Sequence, residues 1–311
     1  MSAASNSDWT SMTAVDALQR HAPEVAARLA DLIALNPPVA AAPLAALVRT
    51  VCAGAVSLPP LPHPYAEIPA ATSLDAGAQI ALEFAEQFSI DVSAIDDATR
   101  TALMDALGDR TGALVTAMYV ADWAPRVRRA LEQLFAPAAD GWGVPAQWNE
   151  STDDLMPLVD EFLASVARVQ GLDPVTTELV RLREARQHNC RICKSIRIRS
   201  ALAAGGDESM YSEVDSYEDS NLSGRHKAAL ALTDAMIWQP GYISEAVTDA
   251  VRKYFSPAEA VELVVDMMRN ASAKMAVAKG TDEANVSEGV EIYEVNPDGS
   301  MDFGLTAPAP R

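Results

Sequence analysis

Apolar residues recur every three or four positions along most of the chain, which is the spacing that lets a helix bury one face. Within residues 15–35, Val25, Leu29, Leu32 and Ile33 fall on one side of such a helix. The same period predicts further helices at about 74–88, 96–107, 110–134, 155–170, 174–187, 190–204, 223–238, 243–254 and 257–278. A strand pattern stands out at 289–304, where VEIYEV, the turn NPDG and SMDFG predict a hairpin. We therefore expect an all-α fold with a short C-terminal β-hairpin.

Composition narrows the classes of function. Of 311 residues, 49% are hydrophobic, which is enough for a buried core, and charges or prolines interrupt the apolar stretches before the length of about 18 residues that a membrane helix needs. The net charge is −19, and a surface of that sign repels phosphate backbones and anionic lipids, so we expect neither nucleic acid nor membrane as a partner. The first ten residues, MSAASNSDWT, lack the features of a signal peptide, so we expect a cytoplasmic protein.

Glycine, proline and tryptophan concentrate between residues 136 and 154, and this stretch separates two helical halves. The predicted organisation is a mobile N-terminus at 1–14, a helical domain at 15–135, a linker at 136–154, a second helical domain at 155–280, and a C-terminal hairpin and tail at 281–311. The halves align on each other, IALEFAE at 80–86 with AALALTD at 228–234. We interpret them as two copies of one helical unit.

Two of the three cysteines, Cys190 and Cys193, are three residues apart. With Asn189 as N-cap, both would lie in the first turn of a helix and on the same face. The helix dipole lowers the pKa of a thiol at that position. Such a pair can carry out two-electron exchange: one thiolate attacks a peroxide or a disulfide, and the other closes the Cys190–Cys193 disulfide.

Charged residues surround this turn. Arg191, Lys194 and Arg197 form a cationic cluster in a chain that is otherwise acidic, and such a cluster favours thiolate formation. Glu178 is the candidate carboxylate to accept or relay the thiol proton. Cys52, alone in an apolar helical run, is predicted to belong to the core.

The run ELVRLR, followed by six residues, C-x-x-C and a helix that ends in Ala-Gly-Gly, resembles the carboxymuconolactone decarboxylase family. It is closest to the alkylhydroperoxidase D-like branch, which keeps a redox cysteine pair. The resemblance covers 155–280 and includes SGRHKAALALTDA and FSPAEAVELV. It implies an all-helical domain that oligomerises, with Cys193 as the attacking thiol, Cys190 as the resolving thiol, and Glu178 as the family glutamate twelve residues before Cys190. The first half lacks the pair and is interpreted as a degenerate copy.

One position departs from this pattern, because the family motif continues C-x-x-C-x-x-x-H and Arg197 stands where the histidine would be. Arginine keeps its proton at neutral pH and cannot relay it, but it can stabilise a thiolate or bind an anionic group of a substrate. His188 and His226 are candidates to replace the missing histidine.

Several alternatives remain open from the residues themselves. A zinc site would normally need four ligands, and His188 is the one further candidate near the pair. Both cysteines could be buried and inert, Glu178 could pair with Arg181 or Arg183, and Arg197 could hold a structural ion pair.

The leading prediction is a thiol-dependent peroxidase or disulfide reductase that cycles through the Cys190–Cys193 disulfide. The expected partners are a small hydroperoxide or disulfide, a thiol reductant and further copies of the chain in a homo-oligomer, with no cofactor and no metal. The alternatives are a carboxymuconolactone decarboxylase-type lyase acting on a carboxylated substrate and a non-enzymatic helical scaffold that senses redox state.

Overall fold

The computed structural model describes residues 9–36, 44–68, 74–137, 141–150, 154–296 and 298–308, and most of these residues are helical. In the first half the helices are α1 (Ala14–His21), α2 (Pro23–Ile33), α3 (Leu44–Ala55), α4 (Ala76–Ile90), α5 (Asp97–Leu107) and α6 (Thr111–Leu134). In the second half they are α7 (Met156–Ala167), α8 (Pro174–Gln187), α9 (Arg191–Ser195), α10 (Arg199–Ala203), α11 (Glu208–Ser212), α12 (Gly224–Trp238), α13 (Glu245–Tyr254), α14 (Pro257–Ala271) and α15 (Lys274–Lys279). The strands are β1 (Ile196–Ile198), β2 (Glu291–Val295) and β3 (Met301–Asp302). The predicted all-α class with a C-terminal strand region is confirmed.

Side-chain caps determine where the site-bearing helices start. The Asp173 carboxylate accepts a hydrogen bond from the backbone N–H of Thr176, and Pro174 occupies the first turn of α8. Ser256 and Glu259 form a reciprocal capping box at the start of α14. These local signals fix the register of the two helices that line the sites described below.

One hydrophobic core extends through both halves of the chain, with α6 at its centre. The Tyr119 hydroxyl of α6 donates to the Met268 carbonyl of α14 at 2.8 Å. Arg126 of α6 donates to the carbonyls of Met236 and Ile237 in α12, at 2.8 and 2.6 Å. The two predicted helical domains thus share a core, and their origin as copies of one unit stays a prediction.

The N-terminal segment contributes to this core from Trp9 onward. Trp9 is buried and packs on Phe135 with ring centroids 5.2 Å apart. The chain after α6 also returns to the N-terminal helices, because Ala14 and Asn36 donate backbone hydrogen bonds to Ala136 and Asn149. Residues 1–8 of the predicted mobile N-terminus, and 138–140 and 151–153 of the predicted linker, lie outside the described residues.

The prediction of one helix over 190–204 is wrong, because this stretch forms α9, β1 and α10 in succession. Residues 196–198 of β1 pair in parallel with 291–293 of β2, and β2 pairs antiparallel with β3. The predicted hairpin is therefore present, but it is part of a three-stranded sheet in the order β1-β2-β3. The apolar spacing of 190–204 depends only on neighbouring residues, whereas the strand that pairs with 196–198 lies near the end of the chain and could not be predicted from that spacing.

The helix predicted over 257–278 is also interrupted. It ends at Ala271, and α15 begins at Lys274 after a short turn. The turn directs Lys274 into the core, where it is buried. Among the described residues, we find no helix with the length and apolar character needed to span a bilayer.

Candidate redox site

Cys190 and Cys193 form a disulfide, and their Cα atoms are 5.3 Å apart. Cys190 is the N-cap of α9, and its sulfur accepts a hydrogen bond from the backbone N–H of Cys193 at 3.3 Å. Asn189 is not the N-cap that the sequence predicted; it has a φ of +53° in the turn after α8, a conformation that asparagine tolerates better than most residues. Cys190 is fully buried, and Cys193 is half-buried and packs against the core.

Asp282 holds the start of α9. Its carboxylate accepts from the backbone N–H of Arg191 at 2.8 Å and pairs with the Arg191 guanidinium at 2.7 Å. Its carbonyl accepts from the backbone N–H of Ile192 at 2.9 Å. Burial acts to raise the pKa of Asp282, but the hydrogen bonds from Arg191 outweigh it and lower the pKa below its usual value. Asp282 therefore accepts hydrogen bonds from the first two N–H groups of α9. Such a capping residue usually precedes the helix directly in sequence, whereas Asp282 is distant in sequence.

Glu178 is buried without exposed surface, and Arg181 engages its carboxylate with two hydrogen bonds of 2.7 and 2.8 Å. Arg181 also donates to the carbonyls of Cys193 and Ile196, at 2.7 and 2.8 Å. The ion pair with Arg181, one of the alternatives that the sequence left open, is thus formed. Glu178 therefore contacts the cysteine turn through Arg181, and its carboxylate also accepts from the backbone N–H of Ile198 at 3.4 Å.

The cations predicted to stabilise a thiolate have other partners. Arg197 is buried, forms a bidentate pair with Glu208 at 2.7 and 2.9 Å, and lies over the ring of Tyr211. The Lys194 ammonium donates to the Asn189 side chain at 2.6 Å. With the ion pair between Arg191 and Asp282, these contacts show that the cations of the cluster bind side chains and carbonyls around the turn.

His188 is buried at the end of α8, and its ring meets the ring of Trp123 edge-on at 6.1 Å between centroids. Burial, with added repulsion from Lys274 and Arg126, lowers the pKa of His188 well below its usual value. Its imidazole is therefore neutral at neutral pH. His226 lies in the first turn of α12, where its backbone N–H donates to the Ser223 hydroxyl.

A buried charged cluster next to this region was missed by the sequence analysis. Asp122 of α6 pairs with Arg126 and with Lys274, both at 2.6 Å. An acidic residue inside the apolar run YVADWAP is the one signal that could have indicated it. Cys52 is buried, as predicted, and burial together with the Asp122 charge raises its pKa to about 12. Cys52 is accordingly a protonated core residue and takes no part in the pair.

No known family model and no solved structure matches the chain. Over 279 residues it is 47% identical to the uncharacterized protein Rv2313c of Mycobacterium tuberculosis strain H37Rv, and the match covers 89% of this chain and 96% of that protein. The uncharacterized protein MT2376 of Mycobacterium tuberculosis strain CDC 1551 matches with the same identity and coverage. The chain therefore belongs to the family of these mycobacterial proteins.

Proposed function

We propose that this chain is a thiol oxidoreductase that cycles between a Cys190–Cys193 disulfide and the dithiol, with Cys193 as the attacking sulfur. The observation that carries the proposal is the placement of the two sulfurs. They are bonded across the start of a five-residue helix, with Cys190 fully buried and Cys193 half-buried. Cys193 is the less buried residue of the two, so a substrate would meet it first, and Cys190 is in place to resolve the intermediate.

The cycle balances with a disulfide as substrate. The Cys193 thiol loses its proton, and the thiolate attacks one substrate sulfur and displaces the other as a thiolate, which takes up a proton. Cys190 then attacks the Cys193 sulfur in the mixed disulfide and releases the second substrate thiol, so the substrate gains two electrons and the pair is oxidised. A dithiol reductant restores the pair. A hydroperoxide would instead yield an alcohol and water.

The surroundings of the pair favour a disulfide over a hydroperoxide as substrate. A thiolate leaves without a proton because the pKa of its acid is only about 8.5, whereas the alkoxide released from a hydroperoxide needs a proton from an acid nearby. Glu178 is bound by Arg181, and Arg197 is bound by Glu208. The resemblance to the alkylhydroperoxidase D-like branch of the carboxymuconolactone decarboxylase family keeps hydroperoxides as the second candidate substrate.

The same proposal includes the setting of the reaction. A cytoplasmic location would supply reduced thiols to restart the cycle. The resemblance also favours a homo-oligomer, and the acidity of the chain is compatible with one.

Thiol counting tests the proposal directly. Reduced protein is freed of reductant, treated with hydroxyethyl disulfide or cumene hydroperoxide, and titrated for thiols after unfolding. Because the chain has three cysteines, we expect three thiols before treatment and one after it. Cys52→Ala, the matched control, should lose the same two thiols.

Single variants identify the attacking sulfur. Cys190→Ser should trap a mixed disulfide on Cys193, and Cys193→Ser should trap none. Trapping on Cys190 in the Cys193→Ser variant would reverse the assignment. Retention of all three thiols in the wild type with both oxidants would reject the proposed cycle.

A further inference from the structure

A cavity of about 500 Å³ lies between the end of α7, the face of α14 and strands β1 and β2. Its polar lining includes Glu262, Asp266 and Arg269 on α14, and Glu294 on β2. Its larger apolar lining residues are Val166, Val169, Leu172, Ile198 and Val295. The redox pair does not line this cavity.

Asp266 is the unusual member of this lining. It is only 7% exposed, and its carboxylate has no hydrogen-bond or ion-pair partner within the part of the chain that the structure describes. Glu262, one turn earlier, is held by the backbone N–H groups of Gly171 and Leu172 at 2.6 and 3.0 Å. A largely buried carboxylate that lines an open cavity without a protein partner is left for water or a ligand in the cavity to satisfy.

The charges around Asp266 determine the sign of that ligand. Glu262 and Arg269 lie near Asp266 on the same helix. Glu184 of α8 interacts electrostatically with it from the core side, and Glu294 of β2 lines the same cavity. Above about pH 8, where Asp266 is ionised, the carboxylates of Asp266, Glu262 and Glu294 outnumber the guanidinium of Arg269, so an anion would be repelled. An ammonium group would find a counter-ion in Asp266 and further acceptors beside it.

We propose that this cavity binds a small organic cation, an ammonium group on an apolar body, with Asp266 as its counter-ion. The apolar residues receive the hydrocarbon part of the ligand, and the carboxylates fix its charged end. The cavity volume of about 500 Å³ lies within the range of about 300–1,000 Å³ that is typical of small-molecule sites. The site is separate from the redox pair, so the two proposals stand or fall independently.

Titration of Asp266 makes the binding pH-dependent. Burial, reinforced by Glu262, raises the pKa of Asp266 to about 8, while Arg269 opposes the shift. Below that pH, Asp266 in the empty site is protonated, and the cation must displace this proton to bind. Alkylammonium ions stay charged until about pH 10, like lysine, so affinity should rise about tenfold from pH 6 to pH 7 and about tenfold again from pH 7 to pH 9.

Isothermal titration calorimetry with n-hexylamine hydrochloride tests the proposal, with sodium hexanoate as the probe of opposite charge and similar length. We expect hexylammonium to bind with the stated pH dependence and hexanoate not to bind. Tighter binding of hexanoate than of hexylammonium would overturn the proposal. The absence of hexylammonium binding at concentrations up to about 10 mM would do the same.

Variants then locate the site. Asp266→Asn should weaken hexylammonium binding at pH 9 by about tenfold or more and remove the pH dependence. Glu294→Gln, on the opposite wall, should weaken binding severalfold, and it serves as the test if Asp266→Asn does not fold. Glu83→Gln removes one exposed carboxylate from α4 and should leave binding unchanged. Equal affinities in wild type and in folded variants of both Asp266 and Glu294 would refute the assignment.

Discussion

The Glu178–Arg181 pair offers a sharp test, because a positioning role and a proton-transfer role predict different outcomes for the same substitution. Glu178 is fully buried and Arg181 is 8% exposed, so the two charges neutralise each other away from solvent. Glu178→Gln keeps the shape of the side chain and removes its charge. Arg181→Met keeps much of the apolar volume and removes the guanidinium.

The expected losses of stability follow from the contacts. Removing one partner of a buried ion pair costs about 3–5 kcal/mol. Glu178→Gln belongs at the lower end, about 3 kcal/mol, because the amide oxygen still accepts one hydrogen bond. Arg181→Met belongs at the upper end, because it also removes the donor to the Cys193 carbonyl. The Ile196 carbonyl loses less, since Arg197 donates to it as well, at 2.8 Å.

Urea unfolding of both single variants and of the double variant measures the pair. The double variant leaves no unpaired buried charge, so its loss should be smaller than the sum of the single losses by about 2–3 kcal/mol. Glu161→Gln is the matched control, because Glu161 pairs with Arg28 at 2.9 Å in a solvent-exposed position. That substitution should cost less than about 1 kcal/mol.

Disulfide-reductase activity then separates the two roles. If Glu178 only orients Arg181 beneath the cysteine turn, folded Glu178→Gln should retain activity within a few-fold of wild type. A general acid or base would contribute about 10²- to 10⁴-fold. A loss of that size in Glu178→Gln that remains folded under the assay conditions would refute the positioning role and restore Glu178 as the proton relay.

Three further predictions follow from the surroundings of the pair. Asp282→Asn should destabilise the chain by about 1–2 kcal/mol in urea unfolding, because the carboxylate at the start of α9 is lost; no loss would show that α9 does not depend on this cap. Lys274→Met should cost about 3–5 kcal/mol in urea unfolding because it breaks the buried pair with Asp122, and combining it with Asp122→Asn should cost less than the two single losses added together. His188 has a lowered pKa in the folded chain, so it binds fewer protons there than in the unfolded chain. The free energy of unfolding should therefore fall as the pH drops below about 6.5, by up to about 1.4 kcal/mol per pH unit. Urea unfolding at pH 7 and pH 5.5 should show a smaller fall for His188→Asn than for wild type, and an equal fall in the two proteins would contradict the prediction.

Helices could be predicted from the sequence wherever both the apolar period and the cap are local. The start of α8 is an example, since Asp173, Pro174 and the apolar positions that follow are adjacent in the chain. The stretch after the cysteine pair could not be predicted in this way. Ile196–Ile198 continues a helical pattern, but its backbone pairs with β2 near the C-terminus, and no local pattern indicates that partner.

In the candidate site, too, features that depend on neighbouring residues could be predicted and features that depend on distant partners could not. The spacing of Cys190 and Cys193 predicts their proximity, and the structure places them in a disulfide. The role of the neighbouring cations depends on partners that the motif does not contain. Arg191 pairs with Asp282 and Arg197 pairs with Glu208, so the cationic turn is formed but both of its arginine charges are already paired.

These contacts also bear on the choice between a redox enzyme and a redox-sensing scaffold. The backbone of the cysteine turn is held by Asp282 at its start, by Arg181 at the Cys193 carbonyl, and by the hydrogen bond from the Cys190 N–H to the Ala185 carbonyl. None of these bonds uses a sulfur atom, so all of them are available to the dithiol as well as to the disulfide. A sensor needs a contact that one redox state makes and the other loses, because a switch can shift an equilibrium only by its differential interaction with the two states. Supports that do not use the sulfurs are compatible with a pair that opens and closes on a fixed turn, whereas the hydrogen bond from the Cys193 N–H to the Cys190 sulfur, at 3.3 Å, is a contact that could differ between the two states. The proposed enzyme therefore requires that this one bond contribute little to the stability of the turn.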